Sequence, residues 1–230
     1  MSTQDLAKKI VSQFPINKEE ILFVKTKHQY EGRGQRSRSW VDTGGSSLKF
    51  SMVCRLNDYK LGHSLMFFVC SQIATLFKGR VFVKWPNDLG CYDQLGMFGK
   101  CGGILVEAFD GDHYVVGVGI NVSHEPKVVE SASSLTAMGV DLNSEEVYQA
   151  IKYRLVDALE ELVDFNYDNY FESFLKANFP YTGSWVFKGE SERLCATDIC
   201  RESGRLVLKR KDGSCFIMKQ GEFRFDRANV

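Results

Sequence analysis

The apolar positions at the start of the chain recur with the spacing of an amphipathic helix. Leu6 and Ile10 fall on one face of residues 2–13, and Ser2 or Thr3 can cap the first turn. The pattern therefore predicts that the chain opens with a helix.

Residues 21–85 carry several strand patterns and one longer helical pattern. The segment SLKFSMVCRL, residues 47–56, alternates as in a strand with one face in the core, and Pro86 ends a later strand. The predicted elements are strands at 21–24, 47–56 and 80–85 and a largely buried helix at 62–77.

The middle of the chain predicts a hairpin followed by a long helix. Segments 99–109 and 113–122 form two strand patterns, and the sequence DGD between them is typical of a tight turn. A helical pattern then runs over residues 143–176, with Ser144 as its cap and carboxylates in its first turn.

After Pro180 the pattern changes to short strands separated by glycine-containing turns, as in a small β-barrel. We therefore predict an α+β protein in two parts. A mixed or antiparallel sheet packed with helices occupies residues 1–180, and the barrel occupies residues 181–230.

Charge narrows the classes of function. Lysine plus arginine and aspartate plus glutamate each number 29 among 230 residues, so no global field attracts nucleic acid or an anionic membrane. The sequence thus predicts neither a DNA nor a membrane partner. Any binding of anions must be local.

The cysteines and the N-terminus suggest a compartment. The seven cysteines are scattered, odd in number and without a C-x-x-C pair, which argues against a disulfide framework and a zinc site with paired ligands. The first ten residues have no apolar signal core, and no apolar run reaches the roughly 18 residues that span a bilayer. We expect a cytoplasmic protein.

The segment GRGQRSRSW, residues 32–40, combines glycines, three arginines and a tryptophan without an acidic residue. It fails the dinucleotide fingerprint G-x-G-x-x-G because position 37 is serine. Two interpretations stay open. It is either a solvated basic loop or a cradle in which backbone N–H groups and guanidinium groups bind carboxylate or phosphate.

Three further segments place polar groups at strand ends. KWPNDL, residues 84–89, is either a simple turn or a site whose amide and carboxylate face phosphate and Mg²⁺. GKCGGILVE, residues 99–107, fails the Walker A pattern, so Lys100 is either an exposed lysine or a cation in a cleft. GVGINV, residues 117–122, is either an ordinary strand or a surface on which two glycines admit a flat ligand.

These four segments, in this order, resemble the hallmark segments of biotin protein ligases. The opening Ser2-Thr3-Gln4 is similar to that family's Ser-Thr-Asn segment, and residues 182–230 are similar to its SH3-like barrel. The resemblance covers nearly the whole chain. It implies a catalytic domain with the α+β fold of class II aminoacyl-tRNA synthetases and a small C-terminal SH3-like barrel.

The resemblance also implies an activity. Such enzymes join biotin to ATP in the presence of Mg²⁺, keep biotinyl-5′-AMP bound, and transfer biotin to one lysine of a biotin carboxyl carrier domain. The first step brings a carboxylate to a phosphate that already carries negative charge, so positioned cations are required.

By the same resemblance, Arg33 and Lys100 are the expected catalytic cations, at the biotin carboxylate and the α-phosphate, and Asp88 is the expected Mg²⁺ ligand. The other expected biotin contacts are Ser2, Thr3, Gln29, Gly32, Gly34, Trp85, Gly102, Gly103, Gly117 and Gly119. The expected ATP or adenylate contacts are Gln35, Arg36, Arg38, Trp40, Asn87 and Asn121.

The sequence departs from the family pattern in the basic loop. Gln35 replaces an arginine and Ser37 a glycine, so we expect a less tightly clamped adenylate; Gln4 stands where asparagine is usual. The chain begins at the Ser-Thr segment, from which we expect a monofunctional ligase without a DNA-binding domain. Family members often pair near the GGIL strand, so a homodimer is a further expectation.

Two alternatives to a biotin ligase stay open. The first is a lipoate or octanoate ligase or transferase of the related family, against which the basic loop and KWPNDL argue. The second is a non-catalytic biotin-binding protein, against which Lys100 and Asp88 argue because such a protein needs neither group.

Overall fold

A computed structural model describes residues 1–35, 38–42, 46–56, 59–77, 79–92, 97–123, 132–163, 184–200, 205–219 and 223–226. Its helices are α1 (Thr3–Gln13), α2 (Tyr59–Leu76) and α3 (Ser144–Val163), with a 3₁₀ turn at Thr136–Met138. Its strands are β1 (Leu22–Thr26), β2 (Ser47–Arg55), β3 (Phe82–Lys84), β4 (Asp88–Tyr92), β5 (Phe98–Phe109), β6 (His113–Asn121), β7 (Ser184–Phe187), β8 (Arg193–Ile199), β9 (Leu206–Lys209), β10 (Cys215–Ile217) and β11 (Phe223–Asp226).

Six strands form an antiparallel sheet in the order β1-β2-β6-β5-β4-β3. The predicted hairpin lies at its centre and is confirmed by the pairing of β5 with β6 up to Phe109 opposite His113. Asp110 (φ 45°) and Gly111 (φ 77°) make the turn in the left-handed region, which aspartate and glycine tolerate better than most residues.

Strand β2 has one face in the main core, as predicted, and its other face is buried as well. One face belongs to the main core, beneath α2 and α3. The other face packs against α1, whose Ala7 and Val11 contact Val53 and Val115. The serines and the lysine of β2 lie on this second face, where α1 and the loop between β1 and β2 cover them.

Two helix caps illustrate how local sequence sets the helix ends. Helix α1 is capped by Ser2, whose Oγ accepts a hydrogen bond from the Asp5 backbone N–H at 3.1 Å, as predicted. Helix α3 is capped by Asn143, not by Ser144. Asn143 Oδ1 accepts from the backbone of Glu145 (2.9 Å) and Glu146 (3.1 Å), while Glu146 Oε2 accepts from the Asn143 N–H at 2.8 Å.

The KWPNDL segment forms a hairpin that the sequence did not predict. Strand β3 ends at Lys84, a turn follows, and β4 starts at Asp88 directly opposite Lys84. Strand β4 then pairs with β5. Both lysines of this region, Lys84 and Lys100, therefore lie on strands that flank Asp88.

The C-terminal strands form a second antiparallel sheet in the order β10-β9-β8-β7-β11, as the predicted barrel requires. Trp185 of β7 packs edge-on against Trp85 with ring centroids 6.4 Å apart and joins the main core cluster. Residues 164–183 lie outside the described part, so the boundary near residue 181 and the helix beyond Val163 stay predictions.

No helix in the described part of the chain combines the length and apolar content needed to cross a bilayer. The six cysteines with described side chains are free thiols.

Candidate functional site

A cavity of about 730 Å³ lies between the six-stranded sheet and the barrel. This volume is ordinary for a small-molecule site. All four motif segments and the start of α1 contribute to it. The predicted site residues that line it are Ser2, Thr3, Gln29, Arg33, Gly34, Gln35, Arg38, Trp40, Trp85, Asn87, Asp88, Lys100, Gly103, Gly117, Gly119 and Asn121.

Gly117 and Gly119 of β6 line the cavity. Neighbouring side chains occupy the space that a Cβ at either position would need. A Cβ on Gly119 would lie 2.7 Å from Cε2 of Trp40, and a Cβ on Gly117 would lie 2.9 Å from Cδ of Gln4. Trp40 thus lies flat against the sheet. Gln4 is buried and donates from Nε2 to the carbonyl oxygens of Leu105 (3.3 Å) and Val115 (3.4 Å), so it anchors α1 to the sheet.

Gly102, an expected biotin contact, does not line the cavity. A Cβ there would meet the Gly119 oxygen at 3.0 Å and Ile120 Cγ1 at 3.2 Å, behind the cavity wall. Gly32 does not line the cavity either. Its missing side chain lets the basic loop close, because a Cβ would lie 2.5 Å from the Trp40 oxygen.

The two described arms of the basic loop, residues 32–35 and 38–40, pair with each other. The backbone N–H of Gly34 donates to the Arg38 oxygen at 2.7 Å, and that of Trp40 donates to the Gly32 oxygen at 2.9 Å. Gln35 turns its amide toward Sδ of Met66, at 3.4 Å. Arg36 and Ser37 lie outside the described residues, so the expectations for them stay predictions.

One end of the cavity is a network of hydrogen bonds around Gln29. Its Oε1 accepts from the Thr3 backbone N–H at 2.9 Å and from Thr3 Oγ1 at 3.3 Å. Ser51 Oγ donates in turn to Thr3 Oγ1 at 2.8 Å. The groups of Thr3 and Gln29 can therefore exchange their mutual hydrogen bonds for hydrogen bonds to a ligand with amide-like donors and acceptors.

Arg33 is held by two carboxylates. Its Nη2 lies 2.6 Å from Asp5 Oδ1 and 3.2 Å from Glu107 Oε2. Burial on its own would raise the pKa of Asp5, but the hydrogen bonds from Ser2 and the positive charge of Arg33 lower it overall. The guanidinium group is thus fixed beside the start of α1.

Asp88 bridges two lysines inside the cavity. Its Oδ1 lies 2.7 Å from Lys100 Nζ and its Oδ2 lies 3.1 Å from Lys84 Nζ. Burial alone would raise the pKa of Asp88, but the charges and hydrogen bonds of Lys100 and Lys84 lower it overall. The carboxylate therefore holds two ammonium groups side by side, where like charges would otherwise repel.

This arrangement does not fit a resident Mg²⁺ site. Both oxygens of Asp88 already bind ammonium groups. The described residues contain no cluster of three or more His, Cys, Asp or Glu side chains that could hold a metal ion. Mg²⁺ is usually held by one or two carboxylates together with substrate phosphates and water. The assignment of Asp88 as a Mg²⁺ ligand stays a prediction.

Two asparagines fix backbone segments around the cavity. Asn87 Nδ2 donates to the Ile104 oxygen at 2.8 Å, and the Ile104 N–H donates back to the Asn87 oxygen at 2.9 Å. Asn121 Nδ2 donates to the Ser133 oxygen at 3.0 Å, while its buried Oδ1 accepts no hydrogen bond from a described residue. Asn121 Oδ1 is thus available to a ligand donor.

Lys49 is a cavity residue that the sequence prediction missed. The side chain is only 1% exposed, pairs with Asp42 and donates from Nζ to the Lys27 oxygen at 2.8 Å. Asp42 Oδ2 also accepts from the Gln29 backbone N–H at 2.7 Å. This buried pair ties the loop between β1 and β2 to the sheet. A lysine in the middle of a strand pattern was the available signal.

The barrel contributes another part of the cavity wall that the sequence prediction missed. Its lining residues are Trp185, Lys188, Arg205, Met218 and Lys219. Together with the cations from the first part of the chain, the lining holds eight lysine or arginine side chains and one carboxylate, that of Asp88. A chain with no net charge therefore concentrates positive charge in one cavity, which suits a ligand that carries several negative charges.

The chain is similar in sequence to proteins of one known family. Residues 1–121 match the model of the biotin/lipoate A/B protein ligase family. The bifunctional ligase/repressor BirA of Salmonella typhimurium is 32% identical over 146 residues, 58% of this chain and 44% of that protein. The biotin–[acetyl-CoA-carboxylase] ligase of Paracoccus denitrificans is 30% identical over 115 residues, 45% of each protein. The alignments thus span less than half the length of these curated relatives.

The fold itself matches over nearly its whole length. The biotin protein ligase from Aquifex aeolicus, solved in complex with biotin and ATP, superposes with a TM-score of 0.70. It covers 99% of this chain and 95% of that one at 22% identity. This match confirms the predicted α+β fold with its SH3-like barrel, and the family model covers more than half of the chain. The chain belongs to the biotin/lipoate A/B protein ligase family.

Proposed function

We propose that this protein is a biotin–[biotin carboxyl carrier protein] ligase, which activates biotin with ATP and transfers it to a carrier lysine. The observation that carries the proposal is the convergence of the four motif segments on one cavity rich in positive charge. The relatives support it as well, because BirA and the Paracoccus denitrificans protein are ligases and the Aquifex aeolicus ligase binds biotin and ATP.

In the first step, an oxygen of the biotin carboxylate attacks the α-phosphorus of ATP. The bond from that phosphorus to the bridging oxygen breaks, pyrophosphate leaves with the electron pair, and a mixed anhydride forms. Two anionic groups must approach each other, so the step depends on cations already in place.

Lys100 and Lys84 are suited to this task because Asp88 holds their ammonium groups together before any ligand binds. A phosphate or carboxylate oxygen can then replace Asp88 as the partner of Lys100 with little rearrangement. Arg33, fixed by Asp5, supplies a guanidinium fork on the side of the cavity nearest α1. Magnesium, when it enters with the nucleotide, would neutralise further phosphate charge.

The part of the cavity around Gln29 suits an uncharged ring with amide character. Thr3 and Gln29 offer donors and acceptors there, and Trp40 lies against Gly119 as a flat apolar wall. We propose that biotin lies with its ring at this end and its carboxylate toward Lys100.

In the second step, the uncharged amine of the carrier lysine attacks the acyl carbon of the anhydride. The bond from that carbon to the phosphate oxygen breaks, AMP leaves, the new nitrogen loses its extra proton to solvent, and an amide forms. No nucleophile of the enzyme is needed.

The test is a reaction of the protein with biotin, MgATP and a biotin carboxyl carrier domain, followed by mass spectrometry of the carrier. A biotinyl-lysine adduct that requires ATP is the expected result. Lipoate in place of biotin is the matched control. An adduct with lipoate and none with biotin would replace this proposal with a lipoate ligase.

The oligomeric state and location are further proposals. Strand β4 pairs with β5 only as far as Gly103, so residues 105–109 of β5 form a strand edge within the described part of the chain. Such an edge supports a homodimer, which light scattering after size-exclusion chromatography would detect. We also propose a cytoplasmic location, where ATP and carboxylases are available, and a role without DNA binding.

A further inference from the structure

Three cations of the barrel line the cavity at its mouth. Lys188 follows β7, Arg205 precedes β9, and Lys219 follows β10. All three side chains are exposed, and none forms an ion pair with another residue in the described part of the chain.

The fold holds these cations next to the reacting end of the cavity. Trp185 of β7 packs against Trp85, the neighbour of Lys84 in sequence, and so fixes the barrel beside the lysine pair. The Met218 backbone N–H donates to the Leu206 oxygen at 2.7 Å, which places the chain around residue 205 beside that around residue 219. Arg205 and Lys219 therefore share one edge of the barrel.

Four of the other five cations of the cavity differ in having carboxylate partners. Arg33 contacts Asp5 and Glu107, Lys49 contacts Asp42, and Lys84 and Lys100 share Asp88. Arg38 and the three barrel cations have no such partner among the described residues. The uncompensated positive charge of the cavity thus lies largely on the barrel side.

We propose that Lys188, Arg205 and Lys219 bind the β- and γ-phosphates of the nucleotide and stabilise the departing pyrophosphate. This inference rests on the proposed function for its substrate. Negative charge builds up on the bridging oxygen as the bond to the α-phosphorus breaks, and cations placed beyond Lys100 stabilise that charge.

An acidic carrier domain is the competing occupant of these cations. The position of the side chains favours the phosphates, because all three line the same cavity as Lys84 and Lys100 instead of lying on a separate surface. The experiment below separates the two.

The test compares two double variants that remove equal charge from the barrel. Arg205→Gln/Lys219→Gln removes cations that line the cavity, and Lys209→Gln/Lys211→Gln removes exposed cations that do not. Lys188→Gln is made as an independent single variant. Binding of inorganic pyrophosphate is measured by calorimetry, and the KM values for ATP and for the carrier domain are measured in the full reaction.

We expect the first double variant to bind pyrophosphate about 10-fold more weakly and to raise the KM for ATP by a similar factor. The reason is that the variant loses two exposed ion pairs with the bound phosphates. Lys188→Gln should give a smaller change in the same direction. The control variant should match the wild type, and the KM for the carrier should not change in any variant.

Three results would overturn the proposal. Unchanged pyrophosphate binding and ATP KM would show that the barrel cations have no role in phosphate binding. A raised KM for the carrier with an unchanged KM for ATP would assign them to carrier docking. A wild type that does not bind pyrophosphate would exclude the site. Pyrophosphate binding needs no biotin, so weakened binding in the variant would support the site even if the wild type failed to biotinylate a carrier.

Discussion

The two faces of strand β2 are both buried, but only one of them buries polar and charged side chains. Toward α2 and α3, strand β2 presents Met52, which is fully buried in the apolar core. On the other face it presents Lys49, which lines the cavity and is 1% exposed, and Ser51, which is fully buried. Burial alone therefore does not distinguish core from site here. The distinction lies in whether the buried group has to be satisfied by a charge or hydrogen-bond partner.

The largest effect is expected on the cavity side, from Lys100→Ala. This change removes the cation nearest the reacting oxygens and should lower the rate of adenylate formation about 10²–10³-fold, as loss of one electrostatic stabiliser typically does. The melting temperature should fall only slightly, because Lys84 still pairs with Asp88 after the change. Pyrophosphate release assays measure the rate, and Lys9→Ala, an exposed lysine of α1, is the control. A Lys100→Ala variant as fast as the wild type would contradict the catalytic role of this residue.

The next effect is expected from Lys49→Met, which leaves the Asp42 carboxylate without its buried partner. Breaking one side of a buried ion pair costs about 3 kcal/mol of unfolding free energy, the lower end of the usual range, since Asp42 keeps some exposure. Chemical denaturation measures it. The double variant Lys49→Met/Asp42→Asn should recover at least half of the loss, because the amide can still accept from the Gln29 N–H. No recovery would mean that Lys49 does not stabilise the fold through Asp42.

On the core face, Met52→Ala should cost about 2–3 kcal/mol of unfolding free energy, because it opens a cavity that flexible neighbours only partly fill. The variant that remains folded should keep the KM values for biotin and ATP, since Met52 does not line the ligand cavity. Denaturation and steady-state kinetics test the two statements separately. A raised KM for either ligand would mean that the two faces of the sheet are coupled.

The sequence predicted those features of the fold that depend on residues close together along the chain. Strands β5 and β6 and their DGD turn follow from a local pattern of apolar positions around Asp110 and Gly111. The cap of α1 at Ser2 follows from chemistry within one turn. The motif segments were recognisable because each is continuous, and the cavity brings them together.

What the sequence did not predict depends on contacts between distant segments. Arg33 was predicted as a catalytic cation, but its contact with Glu107 was not predicted because Glu107 lies 74 positions away along the chain. Lys49 was not predicted as a cavity residue because its partners, Asp42 and Lys27, lie in a loop that has no regular pattern. The barrel wall depends on the packing of Trp185 against Trp85, 100 positions apart, which no local pattern specifies.

The smallest expected effect concerns the pH dependence that Asp88 contributes. Its pKa is lowered below the ordinary 3.8 because Lys100 and Lys84 outweigh the effect of burial. A carboxyl group with a lowered pKa stabilises the folded state above about pH 4, and this contribution is lost as the pH falls through the lowered pKa. Asp88→Asn should therefore be less stable than the wild type at pH 7, and the difference should shrink below pH 3.8. Equilibrium unfolding of both proteins across pH 3–7 measures the difference, in which the other carboxylates cancel. A constant difference over this range would mean that the charge of Asp88 does not hold the two lysines in the folded protein.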